Sequence, residues 1–179
     1  MVDQPVELTE YDPVWRKRFV EQQACLAGLL APWLAGAIEH VGSTSVPGLR
    51  SKPIIDILAP VRSLAEARQA IPVLGSNGWL FWPADPNGTY RLWFLRPDPA
   101  ARTHHLQVIQ YDDANARALI AFRDALRRDA GLRDRYDALK EELAGRHRSD
   151  RNAYSNAKTA FVQAVLGAEG AAPSSRQPV

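Results

Sequence analysis

The chain has 179 residues, 46% of them hydrophobic, with 22 Lys and Arg against 20 Asp and Glu for a formal net charge of +2. That length and apolar content suit one domain with a substantial core; the slight basic excess argues against duplex DNA or a membrane surface, so any basic site is local and its partner small. The single cysteine, Cys25, excludes an intrachain disulfide and a thiolate zinc cluster, which suits a reducing compartment.

The N-terminal MVDQPVELTE carries acids where a signal peptide needs basic residues and an apolar core, and no apolar run approaches a membrane span, so a soluble cytoplasmic protein is expected. A short apolar run at residues 6–8 precedes Asp12-Pro13, a cap followed by proline that announces a helix. Trp15, Phe19, Leu26, Leu29 and Leu30 then recur at helical spacing up to Pro32, with Cys25 expected at a buried position. Residues 37–41 and 54–61 read as strands, and residues 63–74 as a helix closed by Gly75, Asn77 and Gly78. Three further strands are expected at 79–82, 90–95 and 104–110. From Asp113 onward the apolar period becomes helical, over 114–129, 132–147 and 150–166, with breaks at AGL and HRSD. The terminal EGAAPSSRQPV is small, polar and proline-bearing and is expected to be disordered, leaving residues 1–168 as one domain and 169–179 as a tail. Strands with interposed helices followed by a helical part indicate a compact α/β or α+β domain.

Chemistry concentrates in HVGSTSVPGLRSKPIIDI, residues 40–57. Gly42, Ser43 and Thr44 follow directly on a strand, where small residues let backbone amides and a hydroxyl approach a phosphate. Asp56 lies within an apolar strand, where a carboxylate needs a hydrogen bond, an ion pair or a cation. It either staples the Gly42–Thr44 turn or belongs to a binding site. Lys52, four residues earlier, either meets a phosphate at the turn or is a solvated loop charge. His105 and Gln107 share one face of their strand, placing His105 within reach of a site with Asp56. His40 is a further candidate ligand, although its strand parity favours a structural role. Arg91 alternates with Trp93, as a phosphate clamp or as an edge-strand charge. On the helices, Lys140 lies at the margin of an apolar face, and Arg151, Tyr154 and Lys158 share one side of the last helix. These basic residues either line a pocket or pair with Glu141, Glu142 and Asp150.

A strand, Gly-Ser, twelve intervening residues and an acid in an apolar strand is the pattern of the polymerase-beta-type nucleotidyltransferase fold. The stretches EHVGSTSVPGLRSKPIIDI, RTHHLQV and HRSDRNAYSNAKTAFV together resemble the GrpB family of bacterial nucleotidyltransferase-like proteins, from about Val6 to Leu166. The resemblance implies an α+β fold, a nucleotidyltransferase-like mixed sheet with flanking helices and a helical C-terminal part. It also implies a site that binds a nucleotide or another phosphate-bearing small molecule through Gly42, Ser43, Thr44, Lys52, Arg91, Lys140, Arg151, Tyr154 and Lys158. Asp56 would be the catalytic acid, and Asp56 with His105 would hold a divalent cation, Mg²⁺ or Mn²⁺ before Zn²⁺, for metal-dependent nucleotidyl or phosphoryl transfer.

Active members of the fold carry two carboxylates at alternate positions of one strand and usually a third on a neighbouring strand. Here Ile54 and Leu58 flank Asp56 at those positions, so the carboxylate set is incomplete. In the family pattern the position of Gln107 is often a second histidine, which this chain lacks. The alternative expectations are a catalytically degenerate nucleotide- or coenzyme-binding module and a protein-interaction accessory, as fusions of such domains to dephospho-CoA kinase imply. Nucleic acid is disfavoured because the basic residues of the C-terminal helices are interspersed with acids and no aromatic stacking platform accompanies them.

Overall fold

The computed structural model describes residues 5–171; residues 1–4 and 172–179, and with them most of the expected disordered tail, lie outside it. The architecture is α+β, a five-stranded mixed sheet flanked by helices.

Helix α1 (Val14–Leu30) begins where Asp12 accepts a hydrogen bond from the Val14 amide at 2.8 Å, and it buries Trp15, Phe19, Leu26 and Leu30 along one stripe. Cys25 lies off that stripe and is exposed, contrary to the expected buried position. The strands are β1 (Glu39–Val41), β2 (Ile55–Val61), β3 (Leu80–Phe81), β4 (Arg91–Arg96) and β5 (His104–Gln110), in sheet order β1-β2-β5-β4-β3. The β2–β5 pair is parallel and the other three pairs are antiparallel.

The expected helix over 63–74 is two short helices, α2 (Leu64–Ala67) and α3 (Ala70–Gly75). Ser63 caps α2 through the Glu66 amide, but Pro72 has no N–H to give the carbonyl of Arg68, and its ring crowds that carbonyl, so the helix breaks there. Helices α4 (Ala114–Arg128), α5 (Ala130–Arg146) and α6 (Arg151–Ala157) each start at an aspartate cap, Asp113, Asp129 and Asp150. The expected helix over 150–166 is likewise interrupted. Lys158 forms the junction between α6 and α7 (Thr159–Ala168), its amide donating to the carbonyl of Ser155 in a tightened turn.

Strand alternation divides the sheet into two unlike faces. Ile55, Ile57, Ala59, Val61, Leu106 and Val108 point toward α1, α2 and α3 and form the main core. The opposite face, carrying Asp56, Leu58, Arg91, Trp93, His105 and Gln107, lies toward the C-terminal helices. Only its far end is closed by an apolar cluster of Val41, Leu58, Ile109 and Ala116. The polar remainder of that face is left as the wall of a cleft.

Candidate functional site

Parallel pairing sets Asp56 of β2 directly beside His105 of β5, and His105 Nδ1 stands 3.0 Å from Asp56 Oδ1. The His105 ring leans on Trp93 of β4 with centroids 4.7 Å apart, and its Nε2 is buried without a hydrogen-bond partner. Asp56 is therefore fixed from one side by an imidazole. From the other side it is approached by the turn after β1, where Gly42 has φ 70° and a β-carbon would stand 2.4 Å from Asp56 Oδ2. Only glycine lets the turn pass so close to the carboxylate.

Beyond Gly42 the chain makes a 3₁₀ turn (Ser43–Ser45) closed by the Ser45 hydroxyl donating to the Gly42 carbonyl at 2.6 Å. The Ser43 hydroxyl pairs with the phenol of Tyr136 on α5, whose own burial pushes its pKa upward. Thr44 faces the other way. Its hydroxyl donates to the Ile54 carbonyl and meets His40 Nε2, each at 3.0 Å, so its role is to lock the turn onto β1 and β2. His40 is buried and stacked on Phe19, and desolvation, reinforced by Arg127 and Arg123, brings its pKa down to about 4 despite the opposing pull of Asp56. His40 is thus tied to Thr44 and Phe19 and lies outside the cleft that holds Asp56.

The cleft occupies about 680 Å³ between this sheet face and helices α5 and α6. Gly42, Ser43, Lys52, Asp56, Arg91, His105, Lys140, Arg151, Tyr154 and Lys158 all line it, whereas Thr44 faces a separate cavity with His40, Arg123 and Arg127. Residues more than a hundred positions apart in the sequence thus converge on one space. Lys52 and Lys158 stand over the same Tyr154 ring, their ammonium nitrogens 5.0 and 4.5 Å from its centroid. Lys140 reaches across from α5 to the Arg50 carbonyl, lies 3.5 Å from Asp137, and has its pKa lowered to about 8, chiefly by burial. Among the described residues Lys158 has no hydrogen-bond acceptor and no ion pair; its contact is with the Tyr154 ring. Burial, then Lys52 and Lys140, bring its pKa down to about 7, with Asp56 opposing.

Arg91 is engaged within the protein. Asp85, from the loop before β4, grips it at 2.7 and 3.0 Å, Gln107 accepts a third bond at 2.8 Å, and the guanidinium lies 4.1 Å from the Trp93 ring centroid. Its remaining N–H groups and the cleft-facing side of the pair are what it can offer a ligand. Asp85 and Tyr136 were not singled out from the sequence. Asp85 sits in DPNG, which reads as a plain turn, and Tyr136 reads as one more apolar position of its helix.

The donor set does not fit a two-metal clamp. Among the described residues no three His, Cys, Asp or Glu side chains gather. Leu58 takes the second carboxylate position, fully buried, and Gln107 across the sheet is already bonded to Arg91. His105 directs Nδ1 at Asp56, and its Nε2 is sealed inside.

The described residues contain no helix long and apolar enough to cross a membrane. A family model described as GrpB protein matches residues 5–168. The UPF0157 protein PA4798 of Pseudomonas aeruginosa is 38% identical over 169 residues, which cover 92% of this chain and 68% of that protein. The crystal structure of conserved protein GrpB from Enterococcus faecalis superposes with a TM-score of 0.82 at 30% identity, covering 90% of this chain and 96% of that one. A chain of the GLD-2–GLD-3 poly(A) polymerase complex gives a TM-score of 0.56 at 11% identity, over 92% of this chain and 55% of that one, a likeness of fold alone. Matched by the family model over nearly its whole length, this chain belongs to the GrpB family, on a nucleotidyltransferase-like fold.

Proposed function

We propose that the chain binds a phosphate-bearing small molecule, a nucleotide, in the cleft between the sheet and α5–α6. The observation that carries this reading is Lys158, an ammonium at the helix junction with no carboxylate or acceptor of its own among the described residues and two further lysines beside it. Lys52 and Lys140 both disfavour the charge on Lys158, and an anion in the cleft would offset that repulsion. The cleft lining as a whole holds six basic residues, Lys52, Arg91, Arg102, Lys140, Arg151 and Lys158, against two acids, Asp56 and Asp85. Half-buried Trp82, in the cleft lining, offers an aromatic surface for a base.

Binding is favoured over transfer by the same residues. One carboxylate held by an imidazole can orient a hydroxyl or accept its proton, but it does not supply the pair of metal ligands on which in-line nucleotidyl transfer relies.

Isothermal titration of AMP, ADP, ATP, dephospho-CoA and pyrophosphate into wild type and Lys158→Gln tests the reading. A charge-assisted hydrogen bond contributes about 1.5–3 kcal/mol, so the variant should bind roughly 10- to 150-fold more weakly. A nucleotide that binds more tightly than pyrophosphate supports the base-stacking wall. Absence of binding by all five ligands at millimolar concentration would refute the proposal, as would equal affinities of the two proteins.

A further inference from the structure

Two-metal phosphoryl chemistry draws its positive charge from cations held by alternate carboxylates. In this chain each position that would hold them is otherwise occupied. Leu58, on the same strand face as Asp56, is packed against Val41, Ile109 and Ala116. Gln107, its register partner on β5, is neutral and accepts from Arg91 Nη1 at 2.8 Å. His105 gives Nδ1 to Asp56 Oδ1 at 3.0 Å. A cation arriving here would find the carboxylate of Asp56 between Val41 and His105, while Glu39 of β1, the register partner of Leu58, is bonded to Arg123 at 2.6 Å.

Positive charge enters the same cleft from three separate segments instead. Lys52 comes from the loop ahead of β2, Lys140 from the middle of α5, and Lys158 from the α6–α7 junction. Tyr154 spaces two of them, with Lys52 and Lys158 both over its ring at 5.0 and 4.5 Å. Lys140 is fixed by the Arg50 carbonyl, which in turn belongs to a residue held by Asp137 and Glu141 at 2.7 and 2.9 Å. Of the acids of α5, Asp137 and Glu141 are thereby spent on Arg50 and Lys140, Asp134 pairs with Arg133 and Glu142 with Arg146.

We propose that these lysine ammonium groups stand in place of the divalent cations, so that the cleft takes its ligand's phosphate chain in metal-free form. The inference rests on the phosphate-ligand reading above and adds the ionic form of the ligand to it. An ammonium neutralises phosphate oxygens as a compact point charge and needs no carboxylate cage to hold it. A magnesium-bound phosphate chain is a poorer partner for such a site, because the ion cancels two of the ligand's negative charges and brings waters it gives up reluctantly.

The test compares ATP and ADP affinities by titration calorimetry in EDTA and in excess Mg²⁺, for wild type, Lys158→Gln and Lys158→Arg. Wild type should bind both nucleotides at least as tightly in EDTA as in Mg²⁺. In EDTA, Lys158→Gln should bind about tenfold or more weakly, and Lys158→Arg should recover most of that loss. Lys52→Gln, whose side chain comes from a loop, carries the same comparison should Lys158→Gln not fold. Binding that requires Mg²⁺, or is tighter with it, overturns the inference and leaves the phosphate-ligand reading intact. Unchanged EDTA affinity in Lys158→Gln and Lys52→Gln also overturns it. No binding in either buffer overturns both together.

Discussion

Gly42→Ala puts the closest contact of the cleft to the test. Gly42 has φ 70° and ψ −177°, a backbone region that is essentially glycine's alone and costs another residue about 1–3 kcal/mol. The added β-carbon would also meet Asp56 Oδ2 at 2.4 Å and its Cβ and Cγ at 3.0 Å. Asp56 is on a strand and cannot retreat without disturbing its 3.0 Å hydrogen bond to His105. Loss of part of a charge-assisted bond raises the expected total to about 2–4 kcal/mol. In a chain of this size each kcal/mol lowers the melting temperature by about 2–4 °C, so a fall of roughly 5–15 °C is expected. Urea denaturation followed by tryptophan fluorescence gives the stability directly. The cause is isolated by a double-mutant cycle with Asp56→Ala, which removes Oδ2 and Cγ but leaves the backbone cost of position 42 in place. The two substitutions should be coupled by about 1 kcal/mol or more, the double variant being more stable than additivity allows. A loss below about 0.5 kcal/mol for Gly42→Ala, or strict additivity, would refute the account of why glycine occupies this turn.

Asp85→Ala strips the carboxylate from Arg91, whose side chain is only 12% exposed, and breaking such a pair should lower stability by about 3 kcal/mol; Asp85→Asn should lose less, and denaturation midpoints for both variants check the order. Lys158 has its pKa lowered from 10.5 to about 7, so between those values the unfolded chain binds more protons than the folded one and stability rises with pH. Lys158→Met should therefore stabilise the protein below about pH 7, with the advantage shrinking as pH climbs toward 10.5; an advantage independent of pH over that range would contradict the burial of the ammonium. His40 and His104 are both lowered from 6.5 to about 4, chiefly by burial. Acid should begin to destabilise the fold below about pH 6.5 and act fully near pH 4, and a flat urea midpoint over that window would contradict their neutral burial.

Elements with strong periodicity were legible in the sequence. Residues 104–110 form β5 at the expected bounds and α4 starts at Ala114 as expected, whereas AGL, expected as a break, is the first turn of α5, because Asp129 caps the helix two residues before its expected start. Breaks within helical patterns were not. Pro72 splits residues 63–74 because a missing N–H and a crowded carbonyl outweigh the continuous apolar period. At Lys158 no proline or glycine signals the interruption, and nothing in the residue types distinguishes it from a helix interior. Cys25 was misplaced because its neighbours suggested burial, whereas the stripe of α1 is set by Trp15, Phe19, Leu26 and Leu30 and leaves position 25 outside.

The cleft was legible as a set of residue types and not as a set of pairings. Alternation along β2 and β5 sufficed to bring Asp56 and His105 to one face, because strand parity is a property of sequence once the strands are known. Which cation each acid would hold depends on tertiary distance, and that decides the chemistry. Asp85 holds Arg91, while Asp137 and Glu141 hold Arg50. The Arg91 guanidinium is thus largely satisfied, and Lys158, at a helix break, has no counter-ion among the described residues. A site whose Asp85 is committed to Arg91 and Asp56 to His105, and whose Lys52 and Lys158 converge on the Tyr154 ring, has its positive charge already in place. The ligand it suits is one whose negative charge has not been claimed beforehand by a metal ion.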